Sequence, residues 1–313
     1  MKRIVDDERA MLRACDLYYN QNLGHQEIAD QMKLSRPTIS RLLINAKEKG
    51  FVKIILADLD GRNHLEIEQR LAQKYNLKEV IVTDSFEDEK RLHSEIGSAA
   101  ARFLERILKN GDVVGLSMGK TLSNIAPYVA ADYFRDLTFV PMLGGVDSAS
   151  IKLHSNYLAE ALAKAFGGKA LALHAPAMVS RINVKTELMK EENVGRILSL
   201  VNHLNVAVSG IGAPNIHSTI IDTGYFSEEE IRNFAYDNIC GDICMQFFDQ
   251  DGLLSSYEHN QRVIGINIAS LRKIPWSIGV VGGTKKANAV KGAIAGKYIN
   301  ALVTDYDCAR ALL

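Results

Sequence analysis

The chain has no excess charge of either sign: its 37 lysines and arginines balance 37 aspartates and glutamates over 313 residues. A neutral body does not coat a polyanion over its whole surface, so any nucleic-acid contact has to be local. Long apolar runs are missing too. No stretch of about 18 apolar residues occurs, and the opening MKRIVDDERAML lacks the apolar region of a secretory signal. This excludes a membrane partner in this reading and makes a cytoplasmic location the expectation. Cysteine is sparse: Cys15, Cys240, Cys244 and Cys308 are scattered, with no CxxC pair and no histidine cluster at zinc spacing. Buried free thiols are expected, with no metal and no cofactor.

What is present begins at residues 25–49, HQEIADQMKLSRPTISRLLINAKEK. Ile28, Ala29 and Met32 form one apolar face, and Gln26, Glu27, Asp30 and Gln31 the wet one. Leu34 enters the core from a turn, and Ser35 is placed to cap the amides of a second helix. Pro37 is tolerated in a first turn, where amides lack intrahelical partners. Ile39, Leu42, Leu43 and Ala46 make the inward stripe, which leaves Arg36, Thr38, Ser40 and Arg41 as donors for phosphates and base edges. The spacing matches a helix-turn-helix. Six cations (Lys33, Arg36, Arg41, Lys47, Lys49 and Lys53) against Glu48 give residues 33–53 a local charge of +5. The DNA-contact set is therefore Arg36, Pro37, Thr38, Ser40, Arg41 and Lys47. A helix over Glu8–Tyr19 is expected to close the small core, Gly50 to stop the second helix, and FVKIILADLD to form a short wing strand.

The chain is long enough for two domains, and DLDGRN near Asp58–Asn63 marks the boundary. Residues 1–57 are expected to form the DNA-binding domain and 58–313 an effector and oligomerisation domain. Leu65–Tyr75 reads as a helix able to link or pair subunits. Beyond Glu79, apolar runs alternate with helical stretches: VIVT (80–83), DVVGLS (112–117), LTFVPML (137–143), ALALHA (170–175), VAVSGIG (206–212), GDICMQFF (241–248), SIGVVGG (277–283) and INALVTD (299–305). Near-continuous apolar strands separated by helices imply an α/β domain with a mostly parallel sheet covered on both faces. Its ligands belong beyond the carboxyl ends of the strands.

The loops at those ends suit anions. GLSMGKT (115–121) precedes an expected helix, TLSNIAPYVA, and offers Ser117, Lys120 and Thr121 as donors. It resembles a P-loop, but Val114 stands where the first glycine of GxxxxGK(S/T) is required, which disfavours nucleotide hydrolysis. PMLGG (141–145) is followed by Asp147 and Ser148. SGIGAP (209–214) is not a dinucleotide fingerprint, because Asn215 replaces the third glycine. VVGGTKK (280–286) sets Lys285 and Lys286 at the start of the helix Ala287–Gly296. Asp242 could accept hydrogen bonds from sugar hydroxyls or cap a local turn. Together these features point to a phosphorylated sugar.

The succession SRPTISRLLINAKEKGFVKI, GLSMGKT, PMLGG, LHAPA, SGIG, GDICMQFFD and GGTKKANAVKGAIAGKYINALVTDYDCARALL resembles the SorC family of bacterial sugar-responsive transcription regulators, also grouped with DeoR-type and LsrR-like proteins. The resemblance spans nearly the whole chain. It implies an effector domain similar to sugar-phosphate isomerases of the NagB and ribose-phosphate isomerase type, and a dimer or tetramer that holds operator DNA, usually as a repressor. Carried over by position, it puts phosphate contacts on Ser117, Gly119, Lys120, Thr121 and Lys286, and sugar contacts on Gly144, Gly145, Asp242 and the backbone around Cys244. Met118 departs from the family, where many members have tryptophan, and Leu143 stands where others carry a polar or cationic side chain.

An isomerase-like domain also invites an enzymatic alternative, a sugar-phosphate isomerase or deaminase fused to a DNA-binding domain. Asp147, Asp242 and His174 are its candidate bases, but no paired carboxylate or Asp-His spacing singles them out.

Overall fold

The computed structural model describes residues 4–53, 64–130, 136–146, 150–201, 203–213, 219–234, 238–254 and 258–313. The chain divides into two compact units, Met1–Gly61 and Arg62–Leu313. The expected boundary at 57/58 and most of the expected wing strand lie outside the described residues.

In the first unit, α1 (Glu8–Cys15), α2 (His25–Met32) and α3 (Arg36–Glu48) surround a small core. That core is Met11, Ala14, Cys15, Leu17, Ile28, Ala29, Ile39, Leu42, Leu43 and Ala46. Each helix is punctuated by its own side chains. Asp7 accepts the Arg9 and Ala10 amides at the start of α1, and a wider π-type turn, Asp16–Asn20, replaces the expected continuation to Tyr19. Ser35 accepts the Thr38 amide at the start of α3. Gly50 (φ 76°) follows its end, donating to Lys47 O while the Phe51 amide reaches Ala46 O. That pair of hydrogen bonds closes the last turn, and the left-handed residue it needs favours glycine.

The second unit contains α4 (Leu65–Tyr75), β1 (Glu79–Thr83), α5 (Glu89–Ile107), β2 (Val113–Leu116), β3 (Thr138–Pro141), α6 (Ser155–Phe166), β4 (Lys169–Ala170), α7 (Ile182–Lys190), α8 (Glu192–Val201) and β5 (Val206–Gly210). It continues through α9 (Thr219–Asp222), α10 (Glu228–Asn233), β6 (Gly241–Ile243), β7 (Gln246–Phe248), α11 (Glu258–Arg262), β8 (Trp276–Val280), α12 (Ala287–Ala295), β9 (Ala301–Asp305) and α13 (Tyr306–Leu312). Seven strands form one parallel sheet in the order β1-β9-β8-β5-β2-β3-β4. Strand residues alternate between two buried layers: Val206 and Val208 face the side chains of α5 and α6, whereas Ala207 joins those of α4, α12 and α13. Hence both faces are covered and the strands read as unbroken apolar runs. From β2 the chain steps outward to β3 and β4, then returns to the other side of β2 with β5. This reversal between β2 and β5 is the topological switch point, where crevices open in such sheets.

Three expectations change. GDICMQFF is not one strand of the sheet but an antiparallel hairpin, β6-β7, turned at Cys244 and Met245 with φ of 51° and 58°. ALALHA contributes only Lys169–Ala170, because the Asn156 side chain exchanges two hydrogen bonds with the Leu173 backbone and draws the chain off the edge. TLSNIAPYVA forms two short 3-10 turns, Leu122–Asn124 and Ala126–Tyr128, rather than an α-helix. Ser123 and Asn124 side chains bond Lys120 O instead, and Pro127 lacks an amide. The helix expected over Leu65–Tyr75 forms as α4 and packs its apolar stripe, Ile67 and Leu71, on its own sheet. Lys74 Nζ and Tyr75 Oη bond the Leu312 carbonyl, which fixes the end of α4 against α13.

Candidate functional site

The loops after β2 and β5 meet at the switch point. The Ser117 amide donates to Val208 O, and the buried Ser117 Oγ accepts the Gly210 amide at 2.8 Å. Ser117 thus joins two strand ends, its hydroxyl already engaged. Gly119 (φ 140°) donates its amide to Leu153 O, whereas the amides of Lys120 and Thr121 have no acceptor among the described residues. Lys120 is exposed and Thr121 buried. The Leu153 contact brings the start of α6 beside this loop, and Ser155 Oγ there donates to Leu143 O at 2.5 Å. Gly144 and Gly145 donate to Ile264 O and Ala175 O. A Cβ on Gly144 would stand 2.4 Å from Pro176 O, so this glycine serves close backbone packing.

After β5, Gly212 exchanges two backbone hydrogen bonds with Asp242 of β6, and a Cβ at Gly212 would lie 1.9 Å from Asp242 Oδ1. Only glycine lets that carboxylate sit against the strand end. Burial raises the Asp242 carboxyl to about 6, although the Met245 amide and the Lys286 ammonium pull the other way. Lys286, in the turn before α12, is pulled below the usual ammonium range by burial, while Asp242, Cys308 and Glu89 hold it up. Lys120 acts on the same ammonium as a like charge. Lys285 beside it is exposed. Cys244 is buried, and burial pushes its thiol far above the ordinary range, so it behaves as a small apolar group. Asp242, in β6, and Lys120, after β2, both act on the ammonium of Lys286, after β8, so the structure brings these three groups near one another.

On α3, Arg36, Pro37, Arg41 and Lys47 are exposed. Thr38 Oγ1 bonds Ser35 Oγ at 2.8 Å, and Ser40 Oγ lies 3.3 Å from His25 Nδ1, so both hydroxyls have partners within the unit. Lys33, in the turn between α2 and α3, adopts φ 55°.

The model of the sugar-binding domain family (Sugar-bind) matches residues 61–313. The chain belongs to this family. The deoxyribonucleoside regulator of Bacillus subtilis (strain 168) is 32% identical over 313 residues, covering 98% of each chain. The sorbitol operon regulator of Klebsiella pneumoniae is 31% identical over 312 residues, again 98% of each. The crystal structure of the full-length sorbitol operon regulator SorC from that organism aligns with a TM-score of 0.76 at 30% identity, covering 98% of this chain and 99% of that one. The likeness thus extends beyond the sugar-binding domain to the helix-turn-helix segment.

In this family member, three further polar groups lie outside the sequence reading. His93 of α5 is kept below the usual imidazole range by burial and by Lys286 and Lys120, with Glu89 opposing. His154 precedes α6, and its buried Nε2 has no hydrogen-bond partner among the described residues. Asp305, at the end of β9, accepts from Ser85 Oγ, the Gly283 amide and the Cys308 amide, which ties the Lys286 turn to the strand. INALVTD marked this place in the sequence, but nothing there showed that its aspartate would organise three segments. For the enzymatic alternative, His174 is exposed and Asp147 lies outside the described residues. The regulator relatives do not favour that alternative. A groove along α7, lined by Asn183, Val184, Glu187, Leu188 and Glu191, brings two carboxylates and no cation, so it does not suit an anion. Among the described residues no helix is long and apolar enough to cross a membrane.

Proposed function

We propose that the protein is a sugar-responsive transcription regulator, a repressor of a carbohydrate catabolic operon, whose effector is a phosphorylated sugar. The observation that carries the reading is the meeting of Lys120, Lys286 and Asp242 at the switch point of a parallel sheet, in a chain that also has a helix-turn-helix. The unclaimed amides of Lys120 and Thr121, with the two ammonium groups, supply charge-assisted hydrogen bonds to a phosphate. Burial pulls Lys286 below the usual ammonium range, and a phosphate adds to the counter-charge that Asp242 and Glu89 already supply. Asp242 and the backbone of the β6-β7 turn accept from and donate to sugar hydroxyls, with Gly144 and Gly145 shaping the far wall. The names of the relatives, a sorbitol operon regulator and a deoxyribonucleoside regulator, agree with a polyhydroxylated effector. Residues 1–57 carry operator binding through Arg36, Pro37, Thr38, Ser40, Arg41 and Lys47, and residues 58–313 carry effector binding and assembly into a dimer or tetramer. The protein works in the cytoplasm, without catalysis.

Thermal shift against phosphorylated trioses, tetroses, pentoses and hexoses, each beside its unphosphorylated parent, tests this reading. A ligand at about 100 times its dissociation constant adds about 2.7 kcal/mol to the stability of the state it binds. One phosphosugar is expected to raise the melting midpoint where its parent does not, and Lys286→Ala is expected to abolish the shift while keeping operator affinity. Equal responses to both sugars, or an unchanged response in the variant, would move the phosphate site elsewhere. Turnover of the sugar phosphate would support the enzyme instead.

A further inference from the structure

The exposed face of α3 is not wholly polar. Ile39, Leu42, Leu43 and Ala46 point into the core, and at about 100° per residue the opposite face is centred on Pro37, Arg41, Ile44 and Glu48. Ile44 is 54% exposed, more than any other large apolar side chain described in the first unit. Neither packing nor helix propensity accounts for a β-branched residue there. A lone exposed apolar side chain is ordinary on a protein surface. This one is not on an ordinary surface: it stands one helical turn beyond Arg41, flanked by Lys47, in a segment whose local charge is +5. That charge complements the phosphates that line a groove, and a side chain at the centre of the docked face meets base edges rather than phosphates.

We infer that Ile44 reads thymine, packing its side chain on the C5-methyl group of a thymine in the major groove. The inference rests on the reading of α3 as the DNA-contacting helix and adds a specificity residue to it. Among base edges in the major groove, only thymine presents an apolar methyl group, which distinguishes it from cytosine at the same position. Three residues of helix advance about 4.5 Å, a little more than the roughly 3.4 Å between base pairs, so the thymine lies within one or two base pairs of the pair met by Arg41. Glu48, a further turn along the same face, is repelled by phosphate and ends the contacted stretch.

The test uses the full chain and the duplex it selects from a random pool, read by fluorescence anisotropy. Replacing thymines one at a time by deoxyuridine removes only the methyl group. Wild type is expected to lose about 3- to 5-fold in affinity at one thymine per half-site, the worth of one buried methyl group. Ile44→Ala is expected to lose affinity for the unmodified duplex at least as much and to become indifferent to deoxyuridine there, whereas Ile44→Val retains part of the discrimination. Circular dichroism melting checks that the variants fold. An Ile44→Ala protein that binds as wild type does, or that keeps the full deoxyuridine penalty, overturns the assignment. A change of oligomeric state with the deoxyuridine pattern intact also overturns it, in favour of an apolar contact between copies. Failure of the wild-type chain to select any duplex overturns the DNA-binding reading itself, and this assignment with it.

Discussion

Asp242 is held where ionisation is costly, and that has a measurable consequence. Its folded-state value, about 6, lies above the ordinary carboxylate value of 3.8. The protonated acid therefore favours the fold: the benefit is complete below about pH 4 and is lost as pH rises through 6. Asp242→Asn is expected to be more stable than wild type at pH 8, by about 1 to 3 kcal/mol after allowance for partial exposure, and no more stable at pH 4. Melting midpoints at both pH values decide it; equal midpoints at pH 8 would mean that Lys286 already offsets the burial. Asp305 has the opposite character. Its carboxylate satisfies Ser85, Gly283 and Cys308 at once, so Asp305→Ala leaves buried donors unpaired and is expected to cost about 2 to 4 kcal/mol while loosening the Lys286 turn. Urea midpoints give the first effect and loss of the phosphosugar response the second. On the DNA side, Arg41→Ala is expected to cost about 1 to 3 kcal/mol at one base position, whereas Lys47→Ala weakens all sequences alike. Binding to a panel of single-base operator variants separates the two. As candidates, Lys286 could be picked out in the sequence because it follows an apolar run that ends in two glycines, and Asp242 because it is the one acidic residue inside the run GDICMQFF. His93, His154 and Asp305 could not, since their roles come from burial and partners remote in sequence.

At the scale of elements, agreement was best where a local signal and the long-range pattern coincide. Ser35, Pro37 and Gly50 bracket α3, and the apolar stripe between them leaves one face to bury. Agreement failed where a side chain took over a backbone partner: Asn156 ends β4, and Ser123 with Asn124 unmakes a helix after the 117–121 loop. The second failure matters for function, because no α-helix dipole follows that loop. In the proposed phosphate site, the attraction for an anion therefore rests on the amides of Lys120 and Thr121 and on the two lysines. The turn of the helix-turn-helix carries a different cost. Lys33 adopts a left-handed conformation, φ 55°, that disfavours any side chain by about 1 kcal/mol. Lys33→Gly is expected to raise the melting midpoint of the first unit, and, by removing one of six local cations, to flatten the salt dependence of DNA binding by about one unit. A Lys33→Gly variant that melts below wild type would show that the turn gains more from this side chain than its backbone loses.

At the scale of the whole molecule, regulation requires that the two units share free energy. One helix-turn-helix reads only a short half-site, so selectivity needs two copies set about a helical turn or a multiple apart. An effector alters that arrangement only as far as it prefers one DNA-binding state over the other. The preference is reciprocal: if a phosphosugar changes operator affinity by some factor, operator DNA changes the affinity for the phosphosugar by the same factor. For a coupling of about 1 to 3 kcal/mol that factor is roughly 5 to 150. The two factors are accessible separately, one from operator titrations with and without saturating sugar phosphate, the other from calorimetric titration of the sugar phosphate with and without operator duplex. They are expected to agree in size and sign, whether the ligand releases DNA or strengthens its grip. Reciprocity holds wherever on the protein the sugar binds, so its place is read from Lys286→Ala: a coupling of unchanged size in that variant would put the sugar away from Lys120, Asp242 and Lys286.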